Sequence, residues 1–143
     1  MNDIYSNGCN YPIPYKFSKY LVYSSCIFSV SSINALYIDD TTACIYFLFL
    51  FLTSINFWKK PDYGARRNID KLFVYIGVLY FASYVYLLKT EFYKKMYLYL
   101  FICVLWFNIL EHILCYFNSP KWIIVHMTMH IYTFFMSLFI FVL

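Results

Sequence analysis

Charge is what this sequence has least of: only 13% of its 143 residues are Asp, Glu, Lys or Arg, whereas 63% are hydrophobic. Soluble domains carry about 25% charged residues, and one domain of this length has too little interior to hide so much apolar surface. The composition therefore excludes an ordinary water-soluble domain and makes lipid the natural solvent. Glycine is scarce too, at three against 17 Tyr and 16 Phe. With many Asn, Ile and Lys, that bias fits an AT-rich genome and is silent on function. The five cysteines are odd in number, form no C-x-x-C, and with one exception (Cys9) sit inside apolar runs. This excludes a disulfide framework or zinc knuckle and leaves small buried hydrophobes as the reading. No internal repeat or low-complexity segment occurs.

What is present is a series of long apolar runs. Residues 1–19 form a polar, turn-rich N-terminal tail with Asn7, Gly8, Pro12 and Pro14. Residues 20–143 form a transmembrane helical domain with spans at about 20–38, 42–58, 69–88, 96–117 and 121–143. Each run approaches the ~20 residues needed to cross roughly 30 Å of hydrocarbon, and a backbone in lipid satisfies itself as helix. The expected fold is all-α, a polytopic transmembrane helix bundle of about five helices. The first run is diluted by Ser24, Ser25, Ser29, Ser31, Ser32 and Asn34. A signal peptide competes there, but the run is long and no small-x-small site ends it.

Orientation follows from the basic residues. Lys16, Lys19, Lys59, Lys60, Arg66, Arg67, Lys71 and Lys121 fall on one side of five spans, and Lys89, Lys94 and Lys95 on the other. The excess places the N-terminus in the cytosol and the C-terminus on the opposite side.

Polar groups in lipid are costly and mark function. Ser54 and Asn56 end the second run, Asp70 opens the third, Asn108, Glu111 and His112 lie late in the fourth, and His126 and His130 early in the fifth. All fall toward the basic side. Folding the last two helices about Ser119 puts His112 and His126 at one depth, about 10 Å inside the boundary. His126 and His130, at i and i+4, share a face, as do Asn108, Glu111 and His112. Three histidines beside a carboxylate suit zinc, with His112, His126 and His130 as metal ligands. A metal-bound water could then attack an ester, amide or phosphate, with Asp70 or Glu111 as base and Ser54 positioning the reacting group. The same pattern also fits helix–helix hydrogen bonding, with Asn108 or Ser54 as partners of the histidines and Glu111 paired to a histidine or Lys121.

The loop KKPDYGARRN is a topogenic signal resting on anionic headgroups; alternatively Arg66 and Arg67 hold a phosphate or carboxylate at the mouth of the site. Trp58 is expected in the interfacial belt.

The stretch Thr53–Asp70, TSINFWKKPDYGARRNID, resembles a signature of small multi-pass proteins from large DNA viruses and protists, which implies no activity. The order of Ser54, Asp70, His126 and His130 resembles the alkaline-ceramidase-like membrane hydrolase superfamily, which implies a zinc-dependent hydrolase. Trp58 stands where that family has its first histidine, and there are five expected spans in place of seven; His112 is inferred as the replacement ligand. The readings are thus a zinc hydrolase of a lipid-like substrate or a non-catalytic viral or organellar membrane protein acting by helix association or membrane remodelling. A proton or ion pathway through the same polar cluster is a third reading, and it would need oligomerisation. Membrane lipids and further copies of the chain are the expected partners, and nucleic acid is not.

Overall fold

Each apolar run becomes helix, and no strand occurs among the described residues. The computed structural model describes residues 13–117 and 119–142. Most of the expected tail, with Cys9, lies outside them, as do Asn118 and Leu143. The helices are α1 (Tyr15–Ser25), α2 (Ile27–Tyr37), α3 (Thr41–Lys59), α4 (Ala65–Leu88), α5 (Glu91–Tyr116) and α6 (Trp122–Val142). Helices α3 to α6 are long and apolar enough to cross a membrane, so this is an all-α integral membrane protein.

The helices overrun the apolar runs. Helix α4 starts at Ala65 and α5 at Glu91, ahead of the expected Ile69 and Met96. Hydropathy marks only the stretch facing hydrocarbon, whereas long charged side chains let a helix continue through the interface. Lys94 bridges Glu91 one turn away at 2.7 Å, and Arg66 pairs with Asp62, both at helical spacing.

The first run differs most from expectation. Helix begins at Tyr15, within the segment read as tail, and is interrupted at Cys26. Around the break Ser24 and Ser25 hydroxyls donate to the Leu21 carbonyl at 3.1 and 2.7 Å. Ser29 donates to the Cys26 carbonyl at 2.6 Å. Such back-bonding draws carbonyls away from the ladder and bends helices; here the Cys26 N–H falls back to Tyr23 in a tight turn. The two pieces have 11 residues each, about 17 Å apiece, too short for either to span alone. Asp39, at φ 61°, takes the left-handed conformation that closes α2. The Asp40 carboxylate then accepts from Ala43 N–H at 2.9 Å and caps α3.

The α1–α2 rod lies in the groove between α3 and α6, and the remaining neighbours, α3–α4, α4–α5 and α5–α6, close a ring. Helices α4 and α5 touch least of these. Serines let the rod approach closely: Ser18, Ser25, Ser31 and Ser32 are all buried. Ser32 donates to the Cys44 carbonyl at 2.8 Å, and Ser31 reaches Ser137 at 3.4 Å. Two apolar clusters fill the interior. One, with Phe28, Phe47, Leu50, Phe81, Val85, Tyr97, Met136 and Ile140, occupies the middle and the less basic end. The other, with Leu21, Phe57, Trp58, Trp122 and Ile123, lies at the basic end. None of the four described cysteines is in a disulfide, but none is fully buried and Cys26 is exposed, so they are not core residues as expected.

Candidate functional site

Within the ring is a cavity of about 440 Å³. Ser54, Asp70, Glu111, His112, His126 and His130, the residues singled out from sequence, all line it. Helix register explains why they converge. Ser54 lies five residues before the end of α3, Asp70 five after the start of α4, Glu111 five before the end of α5, and His126 four after the start of α6. Antiparallel neighbours thus bring all four to a depth of about 6–8 Å from the basic end.

The polar groups form two hydrogen-bonded arms. On one, His126 Nδ1 lies 3.0 Å from Glu111 Oε2; with Glu111 ionised, Nδ1–H donates and Nε2 carries the lone pair. The His130 ring follows one turn deeper, its centroid 4.9 Å from that of His126, and its Nδ1 shares a 2.8 Å hydrogen bond with Ser24 Oγ. Both imidazoles therefore engage Nδ1 and leave Nε2 uncommitted. On the other arm, Asp70 faces the Thr53 and Ser54 hydroxyls, and Ser54 Oγ lies 3.0 Å from Ser25 Oγ.

Glu111 thus takes a histidine rather than Lys121, and the partner of His130 is Ser24, not Asn108 or Ser54. His112 stands apart: it is exposed on the cavity wall and has no hydrogen bond to either of the other imidazoles. Among the described residues, no three or more His, Cys, Asp or Glu side chains are grouped to hold a metal ion. Trp58 is only 3% exposed, not an interfacial belt residue. Its ring meets His126 edge-on at 4.9 Å and packs against Trp122 at 6.4 Å, because the bundle closes over the end of α3 and buries the indole.

Among the buried polar atoms on the cavity wall that lack a hydrogen-bond partner are Asp70 Oδ1 and Trp58 Nε1. An orphan acceptor and an orphan donor on one cavity suit a ligand or water that bonds to both. Sequence reasoning missed Ser24 and Ser25. Their only signal was that two adjacent hydroxyls in a lipid-facing run need a partner. Arg67 and Lys71 also line the cavity and Arg66 does not. The fold and site thus define an integral membrane helix bundle around a mainly apolar cavity with a cluster of polar groups toward its basic end. No protein-family model, curated protein or solved structure matches the chain.

Proposed function

We propose that this protein is a membrane-embedded hydrolase of a lipid-like substrate, working from the cytosolic leaflet with its N-terminus in the cytosol. The Glu111–His126 pair on the cavity wall carries the reading. A carboxylate that fixes one imidazole nitrogen makes the other a directed base. His126 Nε2 takes a proton from water as the water oxygen adds to the substrate's ester or amide carbonyl. Trp58 Nε1–H, a buried donor on the cavity wall without a hydrogen-bond partner, is available to the oxyanion, and the imidazolium returns its proton to the leaving oxygen or nitrogen. Asp70 Oδ1 accepts from a substrate hydroxyl or amide and so positions it.

Zinc is the cofactor that the ceramidase-like order implies. The donor chemistry at His126 and His130 suits it in part, since each ring is oriented through Nδ1. Two imidazoles are nevertheless one fewer than the three protein ligands of an ordinary catalytic zinc. The proposal therefore routes the proton through His126 itself.

A fluorogenic ester or amide lipid in detergent micelles tests the proposal, alongside elemental analysis of the purified protein. His126→Gln should lower turnover by about 10²–10⁴-fold with the melting temperature nearly unchanged and chelators without effect. Stoichiometric zinc whose removal abolishes turnover would overturn the direct-base route. Turnover indifferent to His126→Gln, Glu111→Gln and Asp70→Asn would overturn the hydrolase.

One observation favours a second reading, a non-catalytic protein that associates through its helices. Helix α5 runs 26 residues with Tyr97 as its single buried residue, leaving Leu98, Ile102, Leu105, Trp106 and Ile109 exposed. Cross-linking through cysteines placed at Ile102 and Ile109 in a bilayer distinguishes a self-associating face from one that meets lipid.

A further inference from the structure

The cavity is not equally closed on all sides. Of its lining residues, the exposed ones are Lys71, Val74 and Tyr75 on α4 and Asn108 and His112 on α5. None comes from α2, α3 or α6. The cavity therefore opens sideways through the seam between α4 and α5, the loosest contact in the ring. Deeper along the seam Tyr97 is buried and its hydroxyl reaches the Val78 carbonyl at 3.4 Å, so the opening is confined to the half nearer the basic end.

The chemistry of the opening is graded. Arg67 and Lys71, at i and i+4, project from one face of α4, with Val74 and Val78 continuing that stripe one and two turns deeper. Across the seam His112 and Asn108 stand on α5, with Val104 and Phe101 below them. In the antiparallel pair Arg67 lies about 3 Å, His112 about 6 Å and Lys71 about 9 Å from the basic end of their helices. Cationic and N–H donors thus ring the mouth at headgroup depth, and apolar side chains line the passage beneath.

We propose that the α4–α5 seam binds a lipid carrying a phosphate monoester headgroup. The phosphate sits among Arg67, Lys71 and His112, and an acyl chain runs inward past Val74, Val78 and Val104. Guanidinium, ammonium and imidazole donors match a dianionic phosphate, and an acyl chain matches a slot that opens into the bilayer. This assigns His112, which joins neither hydrogen-bonded arm, to the headgroup. The proposal shares the cavity with the hydrolase reading but concerns binding alone. It stands if His126→Gln leaves turnover unchanged, and it falls without touching His126 if binding fails.

The test uses the full chain in phosphatidylcholine bilayers with phosphatidic acid spin-labelled on its acyl chain; the probe lipid is read as motionally restricted by electron paramagnetic resonance. Phosphatidic acid should be held at least about tenfold more strongly than equally labelled phosphatidylcholine. Lys71→Gln, Arg67→Gln or His112→Gln should each weaken it about tenfold. Arg66→Gln, next in sequence to Arg67 but outside the cavity lining, should leave it unchanged. Val104→Trp, which fills the seam, should exclude the labelled chain while a melting curve reports an intact fold. Equal losses for Arg66→Gln and Lys71→Gln would reduce the effect to general surface attraction and overturn the proposal. So would equal retention of the two lipids. Inorganic phosphate binding to detergent-solubilised protein as tightly as phosphatidic acid would overturn the lipid assignment, since the acyl slot would then contribute nothing.

Discussion

The two ends of this bundle share α3 to α6 and do opposite work. At the less basic end α2, α3, α4, α5 and α6 meet through Phe28, Phe47, Phe81, Val85, Tyr97, Met136 and Ile140, with rings at edge and tilted geometries such as Phe47–Phe81 at 5.5 Å and Tyr46–Phe81 at 5.7 Å. At the basic end α3 to α6 hold Ser54, Asp70, Glu111, His112, His126 and His130 around the polar part of a cavity whose deeper part is lined by Phe28, Phe81, Tyr97, Met136 and Ile140. In lipid no hydrophobic drive pulls helices together, because the tails are as apolar as Leu. Association must come from packing, which the aromatic end supplies, and from hydrogen bonds between helices. A cavity flanked by orphan polar atoms is the reverse of good packing. The aromatic end holds the ring closed so that the polar end can remain open.

The largest test of that division is Phe47→Ala. Phe47 is fully buried and touches the core from the middle of α3. In a membrane the transfer contribution nearly cancels, leaving mainly the cavity cost. At roughly 24 cal/mol per Å³ over about 100 Å³, this is about 2–3 kcal/mol. Thermal unfolding in detergent should fall accordingly, while lipid binding and turnover per folded molecule persist. A loss of site function without a loss of stability would break the division between the ends.

Gly77 sharpens it. A Cβ there would lie 1.8 Å from the Tyr46 hydroxyl and 2.5 Å from the ring carbon that bears it. Among the described glycines this is the one whose missing side chain the packing requires, at the junction between the aromatic end and the cavity. Gly77→Ala should destabilise by about 1–3 kcal/mol as α3 and α4 are pushed apart. Tyr46→Phe should restore only part of that, since the ring carbon still collides. Melting curves of the two single variants and the double variant read the coupling. Full rescue by Tyr46→Phe would show that the hydroxyl alone sets the α3–α4 spacing.

The helices were legible because lipid enforces them: a dense run such as that ending at Trp58 has no other solution. The depth of the polar residues was legible as well, since counting residues from short connections fixes height along a helix. Azimuth was not. Glu111 and His112 are adjacent in sequence and about 100° apart around α5, so one reaches His126 and the other stands on the open seam. Nothing local decides which does which. Trp58 was misplaced for a related reason: a tryptophan at a span end fits the interfacial belt equally well, and only the arrival of α6 buries it. The serines of the first run lower its hydropathy as a span. That same feature lets it sit between α3 and α6, where small hydroxyl side chains give close approach.

Those serines give the smallest and most discriminating test. Ser24 and Ser25 are neighbours at the same kink, yet they serve different arms. Ser24 bonds His130 Nδ1 at 2.8 Å and Ser25 bonds Ser54 Oγ at 3.0 Å. Each also reaches the Leu21 carbonyl, so each contributes to the bend. Interhelical hydrogen bonds of this kind are worth about 0.6 kcal/mol on average and at most about 1.7 in lipid. Ser24→Ala and Ser25→Ala should therefore shift the melting temperature little and alike. Their effects on the imidazoles should differ. Ser24→Ala leaves His130 Nδ1 without its partner and should move its ring-nitrogen resonances in an NMR spectrum of ¹⁵N-histidine-labelled protein, whereas Ser25→Ala should leave them in place. If the two variants gave the same histidine spectrum, the α1–α2 rod would be scaffold only, and the site would belong to α3–α6 alone. A shift confined to Ser24→Ala makes the kinked rod part of the site, and the polar end then draws on every helix of the ring.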